Sequence, residues 1–326
     1  MPRTVDASDP GTAPPCARSA IARAAGPTKE ESMIHTDACP ECLERSWLLA
    51  MLGPYIERTV LHQGTSELLA LPDKELACRA AGAEAPRILA TLAATSEDRM
   101  RSEIEEAGCW AVCHHSARFP SALRDLDSPP RALIGRGRPA VLAEHPADRA
   151  VAIVGSRRAT SYGREAARTL ASELASAGVL VVSGLAFGID ACAHRGSLDS
   201  GGPTAAVLGC GPDSPYPAAH RGLWRSIGEH GVVVSELPPG SVPWRWTFPV
   251  RNRIIAGLAG VTIVVEAAAR SGSLVTARLA REAGRTLGAV PGPVNCRQSS
   301  GPNQLLADGA YVVRGAEDVM ALLRHS

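Results

Sequence analysis

The chain has 326 residues, 45% hydrophobic and 21% charged, with 34 Lys+Arg against 33 Asp+Glu and a formal net charge of +1. That is a globular composition, long enough for one large and one small core. Only Lys29 and Lys74 are lysines, which excludes a Walker phosphate loop and a Schiff-base lysine from the second half.

The neutral total conceals an asymmetry. Residues 151–326 hold 17 Arg against 12 Asp+Glu, net +5, which leaves net −4 for residues 1–150. Arginine excess suits an anionic partner, because guanidinium grips phosphate with paired donors. On charge alone, a compositional preference for arginine is the favoured explanation. Nine cysteines follow no regular framework and no secretory signal precedes them. The longest apolar run, Ile254 to Val265, is about half a membrane span. A reduced, cytoplasmic protein without a membrane segment is expected.

Residues 1–36, with five prolines among Gly, Ala, Ser and Thr, read as a disordered tail in which Met33 is an alternative start. From 37 to 115 the pattern turns helical: Trp47, Leu48, Met51 and Leu52, then Leu68, Leu69 and Leu71, then Ile88, Leu89 and Leu92. A small all-helical domain is expected there, followed by a Pro/Gly-rich connection over 116–150. Short β-branched runs follow at 151–154, 179–182, 204–208, 232–234, 261–265, 286–290 and 311–313. Helical spacing such as Gly163, Ala167, Leu170, Leu174 and Ala177 separates them. This alternation predicts an α/β domain over 116–326, a doubly wound and mostly parallel sheet whose ligand sits at the carboxyl ends of the strands.

The loops after those strands are unusually rich in small residues. Gly155-Ser156-Arg157 follows the first run, and Thr160 or Ser161 caps the next helix. Ser183-Gly184-Leu185-Ala186-Phe187-Gly188-Ile189-Asp190 follows the second, with His194 one turn on. Ser235-Glu236 ends the fourth, and Glu266 leads to Ser271-Gly272-Ser273 and Thr276. Converging backbone amides at such exits make an anion site, and four of them point to a phosphate-bearing ligand. Gly-x-Gly-x-x-Gly is absent, so a dinucleotide is disfavoured. Arg251-Asn252-Arg253 opens a helix against its macrodipole; a bound phosphate or a buried pair with Asp190, Glu236 or Glu266 accounts for it equally well.

Other chemistry is poorly supported. There is no Gly-x-Ser-x-Gly elbow and no carboxylate cluster for two metals. Asp190 and His194 fit helix capping better than acid–base work. Cys39-x-x-Cys42, with Cys109, Cys113, His114 and His115, has zinc-ligand types, yet lacks a second Cys-x-x-Cys and is widely separated. No metal or cofactor is expected.

In order along the chain, VAIVGSRRATSYG, VVSGLAFGIDACAH, GVVVSELPPG, FPVRNRIIAGLAGVTIVVEAAARSGSLVTA and SGPNQLLADGAYVV resemble the DprA/Smf family of DNA-processing proteins. The resemblance runs from Phe119 to Val313. It implies an extended Rossmann-like domain that binds single-stranded DNA without catalysis, forms a homodimer and loads RecA during natural transformation and recombination. Arg157 is then expected to hold a DNA phosphate. The phosphate-binding set read from the loops and the resemblance together is Gly155, Ser156, Arg157, Ser183, Gly184, Gly188, Asp190, His194, Arg251, Asn252, Arg253, Ser271, Gly272, Ser273 and Thr276.

There are departures. Some relatives carry a lysine after the Tyr-Pro that here is Tyr216-Pro217, where this chain has Ala218; Arg221 and Arg225 are candidate substitutes. The winged-helix-like domain of many members is not expected here. The alternative is a nucleotide phosphoribohydrolase of the LOG type, disfavoured because Ser271 to Arg278 offers no carboxylate. Since the helical region belongs to the acidic half, a chain beginning near Ser116 that remains folded is expected to keep most of its single-strand affinity.

Overall fold

The computed structural model describes residues 36–59 and 65–325, so the expected tail, Thr36 excepted, lies outside the described residues. Among the described residues, five helices come first: α1 (Pro40–Thr59), α2 (Thr65–Ala70), α3 (Asp73–Ala81), α4 (Ala85–Ala93) and α5 (Glu97–Glu106). Ser96 caps α5 by accepting from the Arg99 amide, as a serine before an acidic first turn should.

A nine-stranded sheet follows. Its strands are β1 (Trp110–Cys113), β2 (Ala132–Gly137), β3 (Ala150–Val154), β4 (Leu180–Ser183), β5 (Thr204–Val207), β6 (Val232–Ser235), β7 (Val261–Val264), β8 (Thr286–Ala289) and β9 (Tyr311–Val312). The helices between them are α6 (Ala140–Glu144), α7 (Ser161–Ser176), α8 (Ile189–Asp199), α9 (Arg221–His230), α10 (Thr247–Leu258), α11 (Gly272–Glu282) and α12 (Ser300–Ala307), and α13 (Ala316–Leu323) closes the chain. The strand order is β1-β2-β6-β5-β4-β3-β7-β8-β9. Strands β3 to β9 pair in parallel, while β1–β2 and β2–β6 are antiparallel. The central strands are buried along their whole length, because helices cover both faces. From β3 the chain winds outward through β4, β5 and β6, then returns to β3's other side with β7. The switch point between β3 and β7 is where such a sheet opens a crevice.

The seven strands expected beyond 150 are present within a residue or two. The expected boundary at 115/116 is not where the sheet begins. Strand β1 lies inside the stretch expected to be helical, and β2 inside the expected connection. β1 is only four residues, and β2 is broken by two glycines: Gly135 is glycine because Trp110 lies against its backbone, and Gly137 adopts φ +91°. Helices α1 to α5 also share a core with the sheet side. Leu43, Leu48, Leu52 and Ile56 cluster with Ala111, Ile134, Leu237, Trp246 and Val250. The Trp246 indole donates to Gly53 O at 3.0 Å, and its amide to Glu57 at 3.2 Å. A chain beginning near Ser116 would lose β1 and the helices that pack on Trp246.

Candidate nucleic-acid interface

The crevice at the switch point is a cavity of about 880 Å³, within the range of roughly 300–1,000 Å³ usual for ligand sites. The exits of β3, β4 and β7 supply its walls. These loops interlock: Ser156 N–H donates to Glu266 O at 2.6 Å, and Ile189 N–H to Ser156 O at 3.2 Å. Gly188 has φ +78°, and a Cβ there would collide with the carbonyls of Ser156 and Arg157. Only glycine permits that approach, so Gly188 fixes the backbone from which Arg157 projects. Leu185 is left-handed at φ 58°, and its carbonyl accepts from His220 Nδ1 at 2.9 Å.

Arg157 is exposed at the mouth, with its guanidinium 5.4 Å from the centre of the Phe248 ring. Phe248 in turn lies 5.3 Å from Tyr216. Among the described residues no carboxylate pairs with Arg157. Glu236 is engaged by Arg253, and Glu266 accepts from the Thr160 amide and hydroxyl at the start of α7. Arg158, Arg245 and Arg297, also exposed, complete the rim, and likewise form no ion pair with a described residue. Five arginines against one aspartate line the cavity.

Arg251 forms the floor. It is 7% exposed, and its Nη1 donates to the carbonyls of Gly184 and Val207. A side chain at position 184 would occupy the space of this guanidinium. Burial pushes the Arg251 pKa down and that of Asp190 up; for Asp190 the nearby guanidinium and the amides of Gly184 and Ala186 pull the other way. Asn252 donates to Gly272 O at 3.4 Å, holding the start of α11 beside the floor. There Ser271 caps the helix by accepting from Ser273 N–H, and the Cβ of an alanine at Gly272 would meet open space.

The structure thus brings together Gly155, Ser156, Arg157, Asp190, Arg251, Asn252, Ser271, Gly272, Ser273 and Thr276. Gly184 and Gly188 act from behind, making room for Arg251 and for the Arg157 backbone. Three expected residues are elsewhere. Arg253 is buried against Glu236 at 2.7 and 2.8 Å and donates to Ser128 O. Two positions along α10 from Arg251, it faces another wall. Ser183 donates to Ile153 O inside the sheet. His194 is fully buried, with Nδ1 2.7 Å from Thr204 Oγ1. Thr204 donates to Val181 O, so the imidazole donates to Thr204.

Of the four expected loop exits, Ser235-Glu236 contributes nothing to the cavity; the exit of β8 contributes Arg297 and Gln298 instead. Arg221 and Arg225 lie outside the lining. Arg158, Arg245 and Arg297 carried no spacing signal, although Arg245, flanked by two tryptophans that pack on α1, stands in a visible pattern.

The sequence profile of the DNA recombination-mediator protein A family matches residues 110–324. A DprA protein of Mycobacterium tuberculosis is 50% identical over 179 residues, which cover 55% of this chain and 46% of that protein, so the chain spans about half the length of this curated relative. The crystal structure of DNA processing protein A from Streptococcus pneumoniae superposes with a TM-score of 0.67 at 31% identity, covering 90% of this chain and 94% of the other. The structure of the Helicobacter pylori protein, solved for its single-stranded DNA binding mode, gives 0.58 at 32% identity and covers 64% and 93%. With its Rossmann-like sheet and this profile spanning most of its length, the chain belongs to the DNA recombination-mediator protein A family.

Proposed function

We propose that the cavity holds the phosphate backbone of single-stranded DNA and that the protein is a non-catalytic mediator. It delivers RecA to incoming or processed strands in DNA uptake and recombination, as a homodimer in the cytoplasm. The observation that carries this reading is the arginine floor and rim: a buried Arg251 hydrogen-bonded to carbonyls, below four exposed arginines that form no ion pair with a described residue. Backbone-directed charge gives affinity without base readout. Tyr216 and Phe248 at the mouth offer sequence-tolerant stacking. The binding mode reported for the Helicobacter pylori relative supports the same ligand. No helix of the described residues is long and apolar enough to cross a membrane.

The hydrolase alternative has one carboxylate to work with. Asp190 is the single acidic residue lining the cavity, and it is engaged by two backbone amides. Fluorescence anisotropy with a labelled homopolymeric oligonucleotide, competed by unlabelled single strand or duplex at equal nucleotide concentration, tests the reading. Single strand is expected to compete far better. Equal competition by duplex, or release of free base from nucleoside monophosphates, would overturn it.

A further inference from the structure

Spacing alone argues against zinc in the helical half, but the fold removes that argument. Asp37 bridges to Val112 beside β1, which brings the start of α1 against the end of that strand. Cys39, Cys42, Cys113 and His115 converge there, their ligand atoms all within 4.8 Å of one another. His115 Nδ1 lies 3.3 Å from Cys39 Sγ, 3.7 Å from Cys42 Sγ and 4.0 Å from Cys113 Sγ. A tetrahedral zinc with Zn–S of about 2.3 Å and Zn–N of about 2.0–2.1 Å requires S···N separations of about 3.5 Å. The observed distances bracket that value.

We propose that Cys39, Cys42, Cys113 and His115 form a structural Cys3His zinc site that ties α1 to the edge of the sheet. The surroundings fit thiolate ligands. The Cys39 amide donates to Cys113 Sγ at 3.4 Å, and a backbone N–H aimed at sulfur favours its charged form. His114 is the competing imidazole, but its Nδ1 is 3.2 Å from Arg131 O. The imidazole whose nitrogen falls within 4.8 Å of all three sulfurs is that of His115, which is therefore the nitrogen ligand. No open fourth position remains for water, which marks the site as structural. Its role is to hold the helices whose packing on Trp246 supports the Arg245 rim, without touching DNA.

The test uses the full chain, untagged, grown with added zinc and purified under reducing conditions without chelator. Elemental analysis is expected to find about one zinc per chain, falling below about one tenth in Cys42→Ser and Cys113→Ser, as loss of a thiolate ligand demands. Cys78→Ser, an exposed cysteine outside the cluster, is expected to keep its full zinc. Should the ligand variants fail to fold, cobalt(II) in the unaltered chain decides, through the visible bands of a tetrahedral thiolate-rich site and their loss on adding zinc chloride. A chain that binds neither metal, a Cys39–Cys42 disulfide under reducing conditions, or zinc retained by Cys42→Ser would each overturn the proposal.

Discussion

Replacing Arg157 by alanine separates a DNA contact from a structural one. The side chain is exposed, forms no ion pair with a described residue, and touches Phe248 at 5.4 Å. Losing an exposed cation–π contact costs about 0.5–1 kcal/mol, or roughly 1–4 °C in melting temperature for a chain of this size. A charge-assisted hydrogen bond is worth about 1.5–3 kcal/mol. Because the rim is wet and screened, the lower figure applies, so affinity for a short oligonucleotide should fall about tenfold. The log–log dependence of affinity on salt should become shallower by about 0.7, one single-strand phosphate contact. Arg157→Glu should lose more by repulsion. Anisotropy titrations across a salt series, with thermal melts of the same preparations, supply every number. A large fall in melting temperature with unchanged affinity would refute the reasoning.

The other predictions address the support around that contact. Gly188→Ala forces a side chain onto φ +78° and into the Ser156 and Arg157 carbonyls; it should cost at least about 1–3 kcal/mol and weaken DNA binding with it, so wild-type melting and affinity would contradict the interlocking of the two loops. Arg253→Ala leaves Glu236 buried without its partner and should cost about 3–5 kcal/mol. Its denaturant midpoint should drop while the salt slope of residual binding stays as in the parent; a changed slope would put Arg253 back among the phosphate contacts. Burial holds the His194 imidazole down at about 3, from 6.5. The unfolded chain therefore binds the extra proton, so the stability present above 6.5 is lost as pH falls towards 3, at about 1.4 kcal/mol per pH unit. Denaturation between about pH 6 and 5 should approach this slope, with little dependence above pH 7, and His194→Gln should flatten it. An unaltered slope in the variant would assign it to other groups.

Strands β3 to β7 were readable because a parallel strand buried on both faces must be a short apolar run, and the runs of β3, β4 and β7 ended in small-residue exits. The same logic located the cavity, since a doubly wound sheet admits ligands only at those exits. It failed for β1, four buried residues set inside a helical pattern, and for β2, whose glycines serve tertiary contacts. Gly135 carries the Trp110 ring, and Gly137 turns at positive φ against the backbone of Gly228 and Gly231. In a one-dimensional reading such glycines look like a loop.

The arginines of α10 mark the deeper limit. Arg251 and Arg253 are two residues apart on one helix and identical in chemistry, so local sequence cannot rank them. Their roles divide because the helix turns roughly 200° between them. That turn places one guanidinium over Gly184, where the absence of a side chain leaves room, and the other against Glu236. Glu236 is taken by Arg253 and Glu266 is held by Thr160 at the start of α7, so neither forms an ion pair with Arg157. The rim is cationic because each buried carboxylate nearby has a structural partner, and not because acids are missing from the sequence: Asp190, Glu236 and Glu266 all stand within a few residues of strand ends. Positive charge at the mouth is thus a property of how the acids are distributed inside the fold. A substitution that frees Glu266 from Thr160 should therefore weaken DNA binding without touching any group that meets a phosphate.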